Sequence, residues 1–311
     1  METKPLLPEK IPFFEGQNRF VQIIILLALI VGCMILASVV GVIVASIFFG
    51  FGIPTNIVDQ AAYYRIEQAF SSVGTFLLPA LLFSYLSERN YFSYNRMNKS
   101  PKYSMVNIVL VMSLAIVPIM SALAEWYEGV QWPASLAGLE DWMRRLDERQ
   151  QELMNLLIRD TRVSVLLANI FVLAILPAIG EELLFRGTLQ PFFQKWTKSP
   201  HWAIWITAII FSAIHLQISG FIVRTLMGAY LGYLLYWSGS LWLPIIAHCL
   251  HNSWSILSGF IFLRRGYDLD SLKYTDIHGW QYILGVAILL AVVGVYWLWR
   301  KRIQVTGDRV Q

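Results

Sequence analysis

The chain has 311 residues, of which 57% are hydrophobic and only 14% charged. Charged residues make up about a quarter of an average soluble domain, so an ordinary soluble globule is excluded. The net charge of +4 needs no nucleic-acid partner, because membrane proteins carry excess Lys and Arg in their cytoplasmic loops.

Apolar runs of about twenty residues recur, and they are continuous rather than alternating. This predicts an all-α, polytopic membrane bundle of about eight transmembrane helices and argues against a β-barrel. The first run, Val21 to Phe51, exceeds the h-region of a signal peptide and reads as a retained anchor helix. No lipidation motif stands at either end. Helices are expected over 21–49, 66–86 and 105–123. The stretch 134–160 differs, with Leu139, Trp142, Met143, Leu146, Leu153 and Leu157 at helical spacing among many charges. It reads as an amphipathic helix packed as a connector on the bundle or the membrane.

A fourth spanning helix runs from 163 into the glutamate pair at 181–182. Others follow over 202–216, 221–237, 241–262 and 280–299. No repeat or linker divides the chain. Residues 1–160 read as an N-terminal membrane region, 161–265 as a catalytic core, and 266–311 as a last helix with a basic tail, all one structural unit. The tails, the 87–104 loop and the loop with Lys195 and Lys198 lie on one side and carry more basic residues than the other, which predicts cytoplasmic termini. Cys33 and Cys249 both lie in apolar runs and read as small core residues.

The chemistry gathers in three places. Pro177 to Gly187 holds Glu181, Glu182 and Arg186 in an otherwise apolar context. Phe211 and His215 stand i, i+4 in the next run, and His248 and Asn252 stand i, i+4 in a later one. Ionisable groups at membrane depth are expensive and mark function by default, and i, i+4 pairs share a helix face. Counting along ideal helices puts Glu181 roughly 28 Å from the outer side, and His248 and His215 roughly 13 Å and 21 Å from the inner side. The three depths agree to within a turn or two. Hydrolysis of an amide needs a base for water, donors for the oxyanion and shelter from bulk solvent. Glu181 or Glu182 would serve as base, with His215 holding the same water and His248 and Asn252 donating to the oxyanion. Zinc is the other way to activate water, and Glu, His and His suit it, although the compact H-E-x-x-H signature is absent.

Other residues have blander readings. Arg186 either snorkels or orients Glu182. Asn169 reads as interhelical glue, His251 as packing, His201 and His278 as solvated helix ends, and the 12 tryptophans mostly as an interface belt. A non-catalytic immunity or scaffold protein needs no complete hydrolytic set. A proton-coupled transporter would also bury Glu and His, but no inverted repeat is present.

GEELLFRG, FSAIH and HCLHN, in that order on successive apolar runs, resemble the motifs of the CAAX protease and bacteriocin-processing family of intramembrane proteases. Its eukaryotic members are the type II CAAX prenyl endopeptidases. The likeness covers about residues 165–260. It implies a glutamate-dependent endopeptidase acting on a membrane-associated protein or peptide, integral to the bacterial inner membrane. It further implies that Glu181 and His215 activate water while His248 and Asn252 stabilise the oxyanion. Arg186 and Phe211 would support the site. The family's metalloprotease label would make Glu181, His215 and His248 zinc ligands. The residues set no oligomeric state.

Overall fold

The computed structural model describes residues 13–14, 16–87, 96–130, 133–217, 220–267 and 279–307. His278, residues 88–95 of the basic 87–104 loop and both chain ends lie outside the described residues. Among those described there is no strand. Counted as continuous helices, they form α1 (Arg19–Phe49), α2 (Ile57–Ser87), α3 (Tyr103–Glu128), α4 (Ala137–Ile158), α5 (Val163–Thr197), α6 (Pro200–Ala213), α7 (Phe221–Ser238), α8 (Trp242–Arg264) and α9 (Trp280–Gly307).

Six of these, α1, α2, α3, α5, α8 and α9, are long and apolar enough to cross a membrane. Their outward faces expose Leu36, Ile47, Leu289 and Val292, as a bundle solvated by lipid requires. The expected helices over 202–216 and 221–237 appear as α6 and α7, which fall short of that standard. At 14 residues, α6 is roughly 21 Å long against a hydrocarbon core of roughly 30 Å. The two pack along each other, and α7 buries Met227, Ala229, Leu231, Leu234 and Leu235 against protein rather than lipid. The amphipathic helix is α4, preceded by one 3₁₀ turn over Ala134–Leu136.

Two of the boundaries that differ from expectation lie in α2 and α5. The second helix begins at Ile57 rather than 66, capped by the Asn56 side chain accepting from the Val58 N–H at 2.8 Å. Its first turns are too polar to read as a span, but they bury Ala61 and Tyr63. The fourth helix does not end at the glutamates. It continues unbroken to Thr197, so the acidic pair sits in the middle of α5.

Three stretches wind wider than an α-helix: Val73–Leu77 in α2, and Ile170–Ile175 and Leu183–Leu189 in α5. Each is followed, two residues on, by a proline: Pro79, Pro177 and Pro191. A proline in a helix lacks its N–H and clashes with the carbonyl four residues back. Those carbonyls belong to Thr75, Leu173 and Gly187, all inside the wide turns. The extra residue per turn relieves the clash without breaking the helix.

Polar knots hold α4 to the bundle. The carbonyl of Leu157, at its end, accepts from Arg65 Nη2 and from Asn169 Nδ2, each at 2.8 Å. Arg65 Nε in turn donates to Asn169 Oδ1 at 2.7 Å. Asn169 is therefore a junction between α2, α4 and α5, the interhelical role expected of it.

Candidate active site

The site is built on α5 and roofed by α2, α6, α7 and α8. At Gly180 a Cβ would come within 3.0 Å of Phe76 Cβ and 3.3 Å of the Leu77 nitrogen. Only glycine lets the wide turn of α2 press so closely beside the acidic pair. Leu183, Leu184, Phe185 and Leu189 of the following wide turn join Phe83, Phe211, Leu241 and Ile245 in the core below. The acidic pair thus sits on an apolar floor, away from bulk water.

The two adjacent glutamates have different surroundings. Glu182 is fully buried and engaged: its Oε1 accepts from Arg186 Nη1 at 2.7 Å and from His248 Nδ1 at 2.8 Å. Glu181, 7% exposed, presents Oε2 to His248 Nε2 at 3.7 Å, beyond direct hydrogen-bond reach. One imidazole therefore stands between the two carboxylates. Because the Glu182 carboxylate accepts, the proton on Nδ1 of His248 is fixed there.

Arg186 is also fully buried, so it does not snorkel; it orients Glu182. Its Nη2 donates to the carbonyl of Gly228 on α7 at 2.9 Å, and its guanidinium lies 4.8 Å from the Phe211 ring centre. One turn on, Gln190 Nε2 donates to the carbonyl of Gly232 at 3.2 Å. These two rungs lock α5 to α7. A Cβ at Gly228 would meet Ala208 at 3.1 Å, so the close approach of α6 to α7 depends on that glycine.

Phe211 is the hub of the site. Its ring meets Phe185 edge-on at 5.1 Å, His215 at 5.0 Å and His248 at 5.9 Å. His215 was expected inside a helix reaching Leu216, but α6 ends at Ala213 and His215 stands in the turn beyond it. Its Nδ1 lies 2.7 Å from the Phe211 carbonyl. A carbonyl only accepts, so Nδ1 carries the proton and Nε2 keeps a free lone pair. The i, i+4 relation thus becomes a helix cap rather than a shared helix face. Asn252, half-buried, lies one turn beyond His248 on α8. His251 is half-buried, as its packing role predicts. His201 is exposed and bonds Tyr233 through Nδ1 at 3.0 Å.

A zinc ion would suit the chemistry of Glu181, His215 and His248, and the pinned Nδ1 atoms of both histidines have the form of outer-shell supports. The spatial arrangement does not fit. Among the described residues, no three His, Cys, Asp or Glu side chains are gathered closely enough to hold a metal ion.

Gly228, Gly232, Gln190 and Gly180 have no catalytic residue type and were not legible as site residues. The signal that could have found Gly228 and Gly232 is their i, i+4 spacing in an otherwise bulky α7; Gly180 and Gln190 carried none.

Fold and site together define a polytopic helical membrane protein with a buried Glu–Glu–Arg–His cluster. Residues 163–254 match the family model described as type II CAAX prenyl endopeptidase Rce1-like. That window opens at the start of α5 and closes just after Asn252, so it holds every motif residue, and the resemblance read from the motifs is borne out there. Among curated proteins, the uncharacterized protein YpbD of Bacillus subtilis (strain 168) is 36% identical over 84 residues. The aligned stretch is 26% of this chain and spans only 40% of that relative. No solved structure matches.

Proposed function

We propose that the protein is an intramembrane endopeptidase that hydrolyses a peptide bond in a membrane-associated protein or peptide. The observation that carries this reading is the asymmetry of the acidic pair. Oε1 of Glu182 is held by both Arg186 and His248, whereas the Glu181 carboxylate stands 3.7 Å from His248 Nε2, beyond a direct hydrogen bond. Glu181 is then the base and Glu182 the residue that orients His248.

In this scheme Glu181 takes a proton from water, and His215 Nε2 holds the same water as a second acceptor. The hydroxide oxygen bonds to the carbonyl carbon, whose electron pair moves to oxygen. His248 Nε2 and the Asn252 amide donate to that oxyanion. Donation from Nε2 requires His248 to carry both protons. Two carboxylates and one guanidinium leave one negative charge for that imidazolium to neutralise. As the oxyanion collapses, Glu181 returns its proton to the leaving amine and the C–N bond breaks. Both termini belong on the cytoplasmic side in this reading.

The direct test is cleavage of membrane-anchored peptide substrates by the purified protein in proteoliposomes. The wild type cleaves, Glu181→Ala does not, and exhaustive chelation leaves the rate unchanged. Activity lost on chelation and restored by zinc would instead place Glu181, His215 and His248 on a metal. Asn252→Ala tests the oxyanion assignment. Removing one such donor costs about 10² to 10³ in turnover, so residual activity should be measurable, with KM close to wild type. An Asn252→Ala enzyme of wild-type turnover would remove Asn252 from the site.

A further inference from the structure

His215 stands on a turn, and something outside α6 must hold that turn if its imidazole is to share a water with Glu181. The cap to the Phe211 carbonyl fixes the ring against α6. It leaves open what fixes the backbone that follows, where Leu216 adopts a positive φ of 51°. Two carbonyls of this turn are held from other helices. That of Gln217 accepts from Arg224 Nη2 of α7 at 3.1 Å, and that of His215 receives Gln150 Nε2 of α4 at 3.5 Å.

Arg224 is the stronger of the two holds. Its guanidinium lies flat against Gly220, where a Cβ would come within 2.5 Å of Cζ. A side chain at position 220 would push the guanidinium out of this place. Ser212 Oγ donates to the Phe221 carbonyl at 2.7 Å, tying the end of α6 to the start of α7 beside it. Asp147 of α4 is close enough to act on the Arg224 charge, and that charge acts on His215 in turn. The catalytic turn is thus gripped between α7 and the amphipathic helix α4.

We propose that Arg224 is a positioning residue for His215, and that α4, through Asp147 and Gln150, completes the clasp rather than serving as a plain connector. This rests on the peptidase reading above. A small displacement of a catalytic group by a remote change can cost about 10²-fold. Arg224→Ala should therefore lower kcat by about ten- to a hundredfold with KM near wild type. Arg224→Lys, which keeps one donor for the Gln217 carbonyl, should recover part of that loss. Amide hydrogen exchange over 213–217 should quicken in Arg224→Ala and not in Glu181→Gln.

Unchanged kcat and unchanged exchange in Arg224→Ala would overturn the proposal. So would a raised KM with kcat intact, which would mean that the guanidinium touches substrate instead. Should Arg224→Ala not fold, Arg224→Gln is judged by the same kcat and exchange readouts. Glu181→Gln run in parallel separates the two claims. If it retains proteolysis the peptidase reading fails, whereas a dead Glu181→Gln beside a fully active Arg224→Ala defeats only the positioning role.

Discussion

Glu181→Gln abolishes proteolysis and leaves thermal unfolding of the purified protein unchanged. Gln keeps the size and shape of the side chain but cannot accept a proton from water. Loss of a positioned general base costs about 10² to 10⁴ in rate. Stability should not move, because Glu181 makes no direct hydrogen bond to His248 at 3.7 Å and Gln brings no charge that needs a counterion. The neighbouring change is the control. Glu182→Gln should lower the unfolding temperature, since it leaves the fully buried Arg186 without its carboxylate. Initial rates on a fluorogenic peptide, with unfolding followed in the same detergent, measure both. Wild-type proteolysis by Glu181→Gln would sink the assigned site.

The largest loss of stability is expected from Arg186→Leu. The substitution deletes three contacts at once: the 2.7 Å ion pair with Glu182, the 2.9 Å bond to the Gly228 carbonyl and the stacking on Phe211. Removing one partner of a buried pair costs about 3–5 kcal/mol, because the other charge is left uncompensated in a low dielectric. Replacing both partners by apolar groups is often close to neutral. Arg186→Leu combined with Glu182→Leu should therefore recover much of the loss, less the share owed to His248, which also needs Glu182. Denaturation in detergent across the four proteins gives the coupling directly. An Arg186→Leu protein as stable as wild type would show that the pair does not hold α5 in place.

Much of this was legible in the residues. The apolar runs located every membrane helix, and the three motifs named the side chains that Phe211 brings together. What could not be read has physical causes. Charges at membrane depth look like the end of a helix, so the fourth span was expected to stop at the glutamates. It continues because Arg186, four residues on, neutralises Glu182 from within the same helix. The early start of α2 was hidden because Asp59, Gln60 and Arg65 dilute its first turns, yet Arg65 is the residue that anchors α4. The short α6 was hidden because the apolar pattern runs on past Ala213, while the backbone turns there under a histidine cap. Backbone partners such as the Gly228 carbonyl leave no trace in side-chain chemistry at all.

The pairing of Glu182 with Arg186 inside a single helix also bears on how the protein is made. A charged residue near the centre of an inserting helix costs about 2.5 to 3.5 kcal/mol at the translocon. The later partners of this cluster, Gly228 and His248, emerge from the ribosome only after α5 has left it. A counterion supplied from another helix would arrive too late to help α5 enter the bilayer. Because acid and base lie one turn apart on one segment, α5 carries its own neutralisation into the membrane. Glu181, the residue left free for chemistry, enters without such a partner of its own.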